Sequence, residues 1–89
     1  MFVSVKHAIS NPQEFWKIAE KTLPNLPEGI KFHSSFPTED KATAFCLWEV
    51  DSLEGFKKFL EDGVGHVSQN DYYLIDEKAA MGLPTKVLP

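Results

Sequence analysis

An α+β fold is predicted for this 89-residue chain, with a four-stranded antiparallel sheet carrying two helices on one face. Three observations predict it. The first is Lys41–Val50, KATAFCLWEV, the longest apolar run and one without Gly or Pro. Read as a strand, it is apolar on both faces: Ala42, Ala44, Cys46, Trp48 and Val50 on one, Phe45 and Leu47 on the other. A strand with one side in water alternates apolar and polar, so this one needs cover on two sides. The second is a pair of segments with helix start and stop signals. The third is the order strand, helix, strand, strand, helix, strand, which is the split βαβ pattern of ferredoxin-like folds.

The first strand is Phe2 to Ile9, with Val3, Val5, His7 and Ile9 on one face and Phe2, Ser4, Lys6 and Ala8 on the other. Asn11 is a good N-cap, Pro12 suits the first helical position, and Glu14 has capping-box spacing. The helix that follows carries Phe15, Ile18, Ala19 and Thr22 on one stripe, and Pro24 stops it. Asn25–Gly29 is a loop by its turn chemistry. Ile30 to Phe36 is the second strand, with Ile30, Phe32, Ser34 and Phe36 on one face and Lys31, His33 and Ser35 on the other. A polar turn, Pro37–Asp40, leads into the third strand, so the two should pair as an antiparallel hairpin. Asp51 or Ser52 caps the second helix, in which Leu53, Phe56 and Leu60 face the core and Gly63 is a natural stop. Asn70 to Asp76 reads as the fourth strand. The tail, Glu77 to Pro89, is too apolar to be free and is expected to pack on the body or on a partner.

The length indicates a single domain, 1–89. Net charge is −4 with acids and bases interspersed, and no basic patch marks nucleic acid or anionic membrane as a partner. No run is long enough for a signal peptide or a membrane span. Cys46 is the only cysteine, which excludes an intrachain disulfide. A lone thiol in an apolar strand suits a reducing compartment, and a cytoplasmic location is expected.

On strand parity, Phe2, Phe45, Leu47 and one of Tyr72 and Tyr73 lie away from the helices. That is too much apolar surface for a soluble monomer, and a second copy packing sheet to sheet with twofold symmetry would cover it. The element order and the double-sided strand resemble the dimeric α/β-barrel superfamily. Within it, His33-Ser-Ser, the turn with Asp40-Lys41, and Phe45-Cys46-Leu47-Trp48-Glu49 resemble a branch of small, mostly uncharacterised bacterial proteins. Ser68-Gln-Asn70-Asp-Tyr72 and Ala80-Met-Gly-Leu-Pro84 look like further features of that branch. Some relatives of this type bind nickel; others in the superfamily are cofactor-free monooxygenases, haem enzymes or ligand-sensing domains. The resemblance therefore implies a homodimeric fold more strongly than a reaction.

The face opposite the helices would then line the space between paired sheets, with Phe2, Ser4, Lys6, Lys31, His33, Ser35, Thr43, Phe45, Leu47 and Glu49. A half-apolar lining with a few converging polar groups describes a ligand pocket. Lys6, His33 and Glu49 are the candidate ligand-binding residues. His33 can act as a metal ligand or general base, although a histidine outside a cluster is more often a satisfied or surface residue. Glu49 can accept a proton or serve as a second metal ligand, although an ion pair with Lys6 or Lys31 is its commoner role. His7 lies on the helix-facing parity near a strand end, where solvent can reach it, and His66 lies between a glycine-rich loop and a strand. No two histidines have metal-motif spacing. Cys46 and Trp48 read as core or interface. No nucleophile motif, phosphate-binding loop or paired-cysteine zinc signature is present; Gly63-Val-Gly65 is short and follows a helix instead of preceding one.

Three functional expectations follow from these residues together with what the resemblance implies. The first is a homodimer holding a small apolar ligand, or a divalent metal such as nickel, between its sheets. The second is a structural or regulatory interaction protein whose apolar face only dimerises. The third is an enzyme of the cofactor-free monooxygenase kind, with His33 or Glu49 moving protons.

Overall fold

In the computed structural model, which describes residues 1–89, the strands are β1 (Phe2–Ile9), β2 (Ile30–Pro37), β3 (Thr43–Val50) and β4 (Ser68–Leu74). The helices are α1 (Pro12–Thr22) and α2 (Leu53–Val64). The sheet order is β2-β3-β1-β4, with every neighbouring pair antiparallel. This βαββαβ arrangement is compatible with a ferredoxin-like fold. Neither helix is long and apolar enough to cross a membrane.

The local signals explain most element ends. The Asn11 side chain accepts from the Glu14 amide at 3.1 Å and opens α1. Pro24 cannot continue the helix, and the chain tightens into a 3₁₀ turn over Leu23–Asn25. Ser52, not Asp51, caps α2, accepting from the Gly55 amide at 3.2 Å. Replacing such a cap by Ala costs about 1 kcal/mol. Helix α2 runs through Gly63 to Val64, one residue past the expected stop, because Val64 still faces the core and is buried there.

The core lies between the helices and one face of the sheet. Val3, Val5 and Ile9 of β1 and Ala44, Cys46, Trp48 and Val50 of β3 meet Phe15 of α1 and Phe56, Leu60 and Val64 of α2. Trp48 is at its centre, with ring centroids 5.1 Å from both Phe32 and Phe56. Burying one such side chain is worth about 1.5–3 kcal/mol. Strand β4 is displaced towards the N-terminus from the expected Asn70–Asp76. Its register puts Ser68 opposite Ile9 and Leu74 opposite Val3, and the Asp76 carboxylate then begins a turn by accepting from the Lys78 amide.

Strand β2 departs most from simple alternation. Phe32 pairs with Trp48, but the next paired residue is Ser34, opposite Leu47, so His33 is an extra residue in a β-bulge. Everything after it changes face. Ser35, expected on the open side, pairs with Cys46 on the helix side, while Ser34 and Phe36 turn to the open side.

Gly29, just before β2, has φ +82°, and a Cβ there would overlap the Asp51 carboxylate. Its carbonyl accepts from the Asp51 amide at 3.0 Å, tying the start of β2 to the end of β3. Gly29→Ala is expected to lower stability by about 1–3 kcal/mol in urea denaturation, from the left-handed backbone and the overlap together.

Candidate functional site

The open face is a set of rows running across the strands. The end row brings together His33, Glu49 and Phe2. The middle row is Ser34, Leu47, Ser4 and Tyr73; the far row is Phe36, Phe45, Lys6 and Asp71.

The end row holds two of the three candidate residues. The bulge carries His33 over β3, where its Nε2 lies 2.9 Å from Glu49 Oε1. The Glu49 carboxylate is only 1 % exposed despite facing away from the helices, because the chain's own tail crosses it. The Val87 amide donates to both carboxylate oxygens, at 2.9 and 3.2 Å, and the Leu88 amide donates to Oε2 at 2.8 Å. Phe2 is buried in the same row, its ring centroid 5.5 Å from that of His33. Phe2 is thus not part of the exposed apolar surface that strand parity assigns to it. Burial works against ionisation of Glu49. The Val87 amide, His33 and the Leu88 amide outweigh it and hold the carboxyl well below its ordinary value, at about 2.

Lys6 is not brought to this pair. It stands between Phe45 and Asp71, exposed, four residues along β1 from Phe2 and therefore roughly 13 Å away along the strand. Lys31 faces Glu49 across the ladder but stays exposed, so the carboxylate takes His33 and the tail amides in place of a lysine. An ionised carboxylate on Nε2 makes that nitrogen the donor and leaves the Nδ1 lone pair free to bind a proton or a cation. Within one chain no third His, Cys, Asp or Glu joins the two as a metal-holding group. The middle and far rows are open: Phe36 is 66 %, Tyr73 56 % and Phe45 45 % exposed.

A second polar cluster lies under β4. His7 is buried, not solvated at its strand end, and its Nδ1 is 2.6 Å from Asn70 Oδ1. Asn70 Nδ2 donates to Glu61 Oε2 at 2.9 Å, and the Tyr72 hydroxyl donates to the same oxygen. Burial pushes the His7 pKa down, with the Asn70 bond and the Glu61 charge opposing it. A neutral imidazole held this way fastens β1 and β4 to α2. Parity placed His7 on the helix side, but its partner is 63 residues away and carries no sequence signal. Cys46 is buried and its thiol is held protonated by that burial, in keeping with a core role.

The Glu49–tail contact gives a pH dependence of definite sign. The folded carboxyl titrates near 2 and a free glutamate near 4.3, so docking of the tail is at full strength above about pH 4.3 and weakens as pH falls towards 2. Glu49→Gln is expected to release the tail at neutral pH. Amide exchange at Val87 and Leu88 should quicken roughly tenfold or more, while exchange in the core strands stays slow.

Comparison of the chain with family models, with curated proteins and with solved structures returns no significant match.

Proposed function

We propose that this protein is a homodimeric binding module of the dimeric α/β-barrel kind, in which two copies face each other across their open sheets and a small, largely apolar ligand lies between them. The observation that carries this reading is the exposed patch of Phe36, Phe45 and Tyr73 around half-buried Leu47. Contiguous apolar surface of this kind marks an interaction site. The polar groups among it, Ser4, Ser34, Thr43, Lys6 and Asp71, are interspersed with the apolar ones, as in a chamber that orients a ligand. Lys6 and Asp71 stand side by side in the far row, so a twofold partner can meet each charge with its opposite. The single buried thiol suits a cytoplasmic setting.

A divalent ion such as nickel on His33 and Glu49 is a narrower form of the same reading. Both Glu49 oxygens already accept amide hydrogens, so an ion there needs the tail displaced, further ligands from a second copy, or both. This favours the apolar ligand. A ligand-free interaction protein is the second reading, supported by the same patch, with the Phe36 and Phe45 rings filling the space themselves. A cofactor-free monooxygenase would rest on His33 Nδ1 as base.

Sedimentation at micromolar concentration is expected to give a dimer, and Phe45→Asp a folded monomer with an unchanged circular dichroism spectrum. A wild-type monomer under those conditions overturns the reading. For the metal form, elemental analysis and melting with nickel should show retention or stabilisation that His33→Ala removes; with neither, that form is wrong.

A further inference from the structure

We propose that the tail segment held by Glu49 is part of the surface that meets a second copy, so that latching of the tail and pairing of the two sheets are coupled. The coupling rests on the face-to-face dimer proposed above and adds a named contact and a control to it. Glu49 shares its row with Phe2 and His33 on the open face, so the Val87 and Leu88 amides that reach it lay the tail across that face. Leu88 is half-buried there, whereas Val87 is 59 % exposed. The Val87 side chain therefore adds an apolar group on the same side of the sheet as Phe36, Phe45 and Tyr73.

Two observations point to the second copy as what this segment meets. The first is how the segment is held. Residues 81–89 hydrogen-bond the body of the protein only through Glu49. The Lys86–Glu77 ion pair, at 2.8 Å, lies within the tail and near the surface, where such pairs contribute little. Ordering a segment costs conformational entropy that burial normally offsets, yet Met81 and Val87 keep their side chains in water within one copy. A partner on the open face buries Val87 and supplies part of that offset. The second observation is what the latch hides. Under the tail the end row is a carboxylate and an imidazole, groups that a partner could cover only at a desolvation cost. With the tail latched, Glu49 is 1 % exposed and the same end of the face presents Val87. Latching thus turns a polar end of the open face into an apolar one, and extends the surface formed by Phe36, Phe45 and Tyr73. Glu49 itself is sealed from any partner, so it acts on pairing only through the segment it holds.

The test is the dimer dissociation constant, read by sedimentation over a range of concentrations. Val87→Ser keeps the amide, and with it the latch, but removes the apolar group from both copies; it is expected to raise the constant about tenfold. Glu49→Gln releases the tail and should raise it by about as much or more. In the double variant, Val87→Ser should add less than about twofold, because a released residue no longer meets the partner. Linkage requires the reverse effect as well: in the Phe45→Asp monomer the Val87 and Leu88 amides should exchange several-fold faster than in the wild-type dimer. Should Glu49→Gln fail to fold, Val87→Ser and the exchange measurement decide. A wild-type dimer whose constant neither single variant changes, additive effects in the double variant, or equal exchange in monomer and dimer overturns the coupling and leaves the dimer standing. A wild-type monomer overturns the dimer and the coupling with it.

Discussion

Strand β3 is apolar on both sides, and the structure covers the two sides unequally. On the helix side Ala44, Cys46, Trp48 and Val50 are sealed by the aromatic core. On the other side the cover is uneven. At one end the chain's own tail lies over Glu49; at the other, Phe45 stands in the open beside Phe36. The remaining architecture meets this in part: two helices over one face, a tail strapped to part of the other, and an apolar remainder left exposed.

The strap works because a carboxylate is a better acceptor than a neutral oxygen. An irregular tail segment has backbone N–H groups that no ladder satisfies, and Glu49 takes two of them. Removing a charged group from water is costly unless its lone pairs are filled, and here His33 and the two amides fill them. The result is a firm point in an otherwise exposed tail, in which Met81 and Val87 keep their side chains in solvent. Segments held by few contacts open more readily than the core, so the tail over Glu49 is more easily moved than the helices over the other face.

One inserted residue has a wide effect. Without the bulge at His33, Ser35 would face the open side and Phe36 the core, and the hairpin would read as plain alternation. With it, the open face gains an aromatic residue and the helix side gains a hydroxyl. The two histidines of the inner and bulged strands show how burial sorts a single residue type. His7 is sealed against an amide and fastens three elements together; His33 is given a carboxylate and keeps a nitrogen free.

By itself the sequence determined what nearest neighbours along the chain determine. The Asn11 cap, the Pro24 stop, the β2–β3 hairpin and the facing of β1 and β3 follow from steric and hydrogen-bonding rules that act over a few residues, so they can be read from the residues alone. Parity also put His33 and Glu49 on one face, but it offered Glu49 to Lys6 or Lys31; the contact with His33 comes from the bulge. Only the tertiary structure decided the bulge, the burial of Phe2, the covering of Glu49 by the tail, and the His7–Asn70 contact. The Glu49–tail and His7–Asn70 contacts join groups 38 and 63 residues apart, and the bulge is set by the register of β2 on β3. A one-residue change of register moves every later side chain to the other face, and alternation in one strand cannot reveal where its partner will force that change.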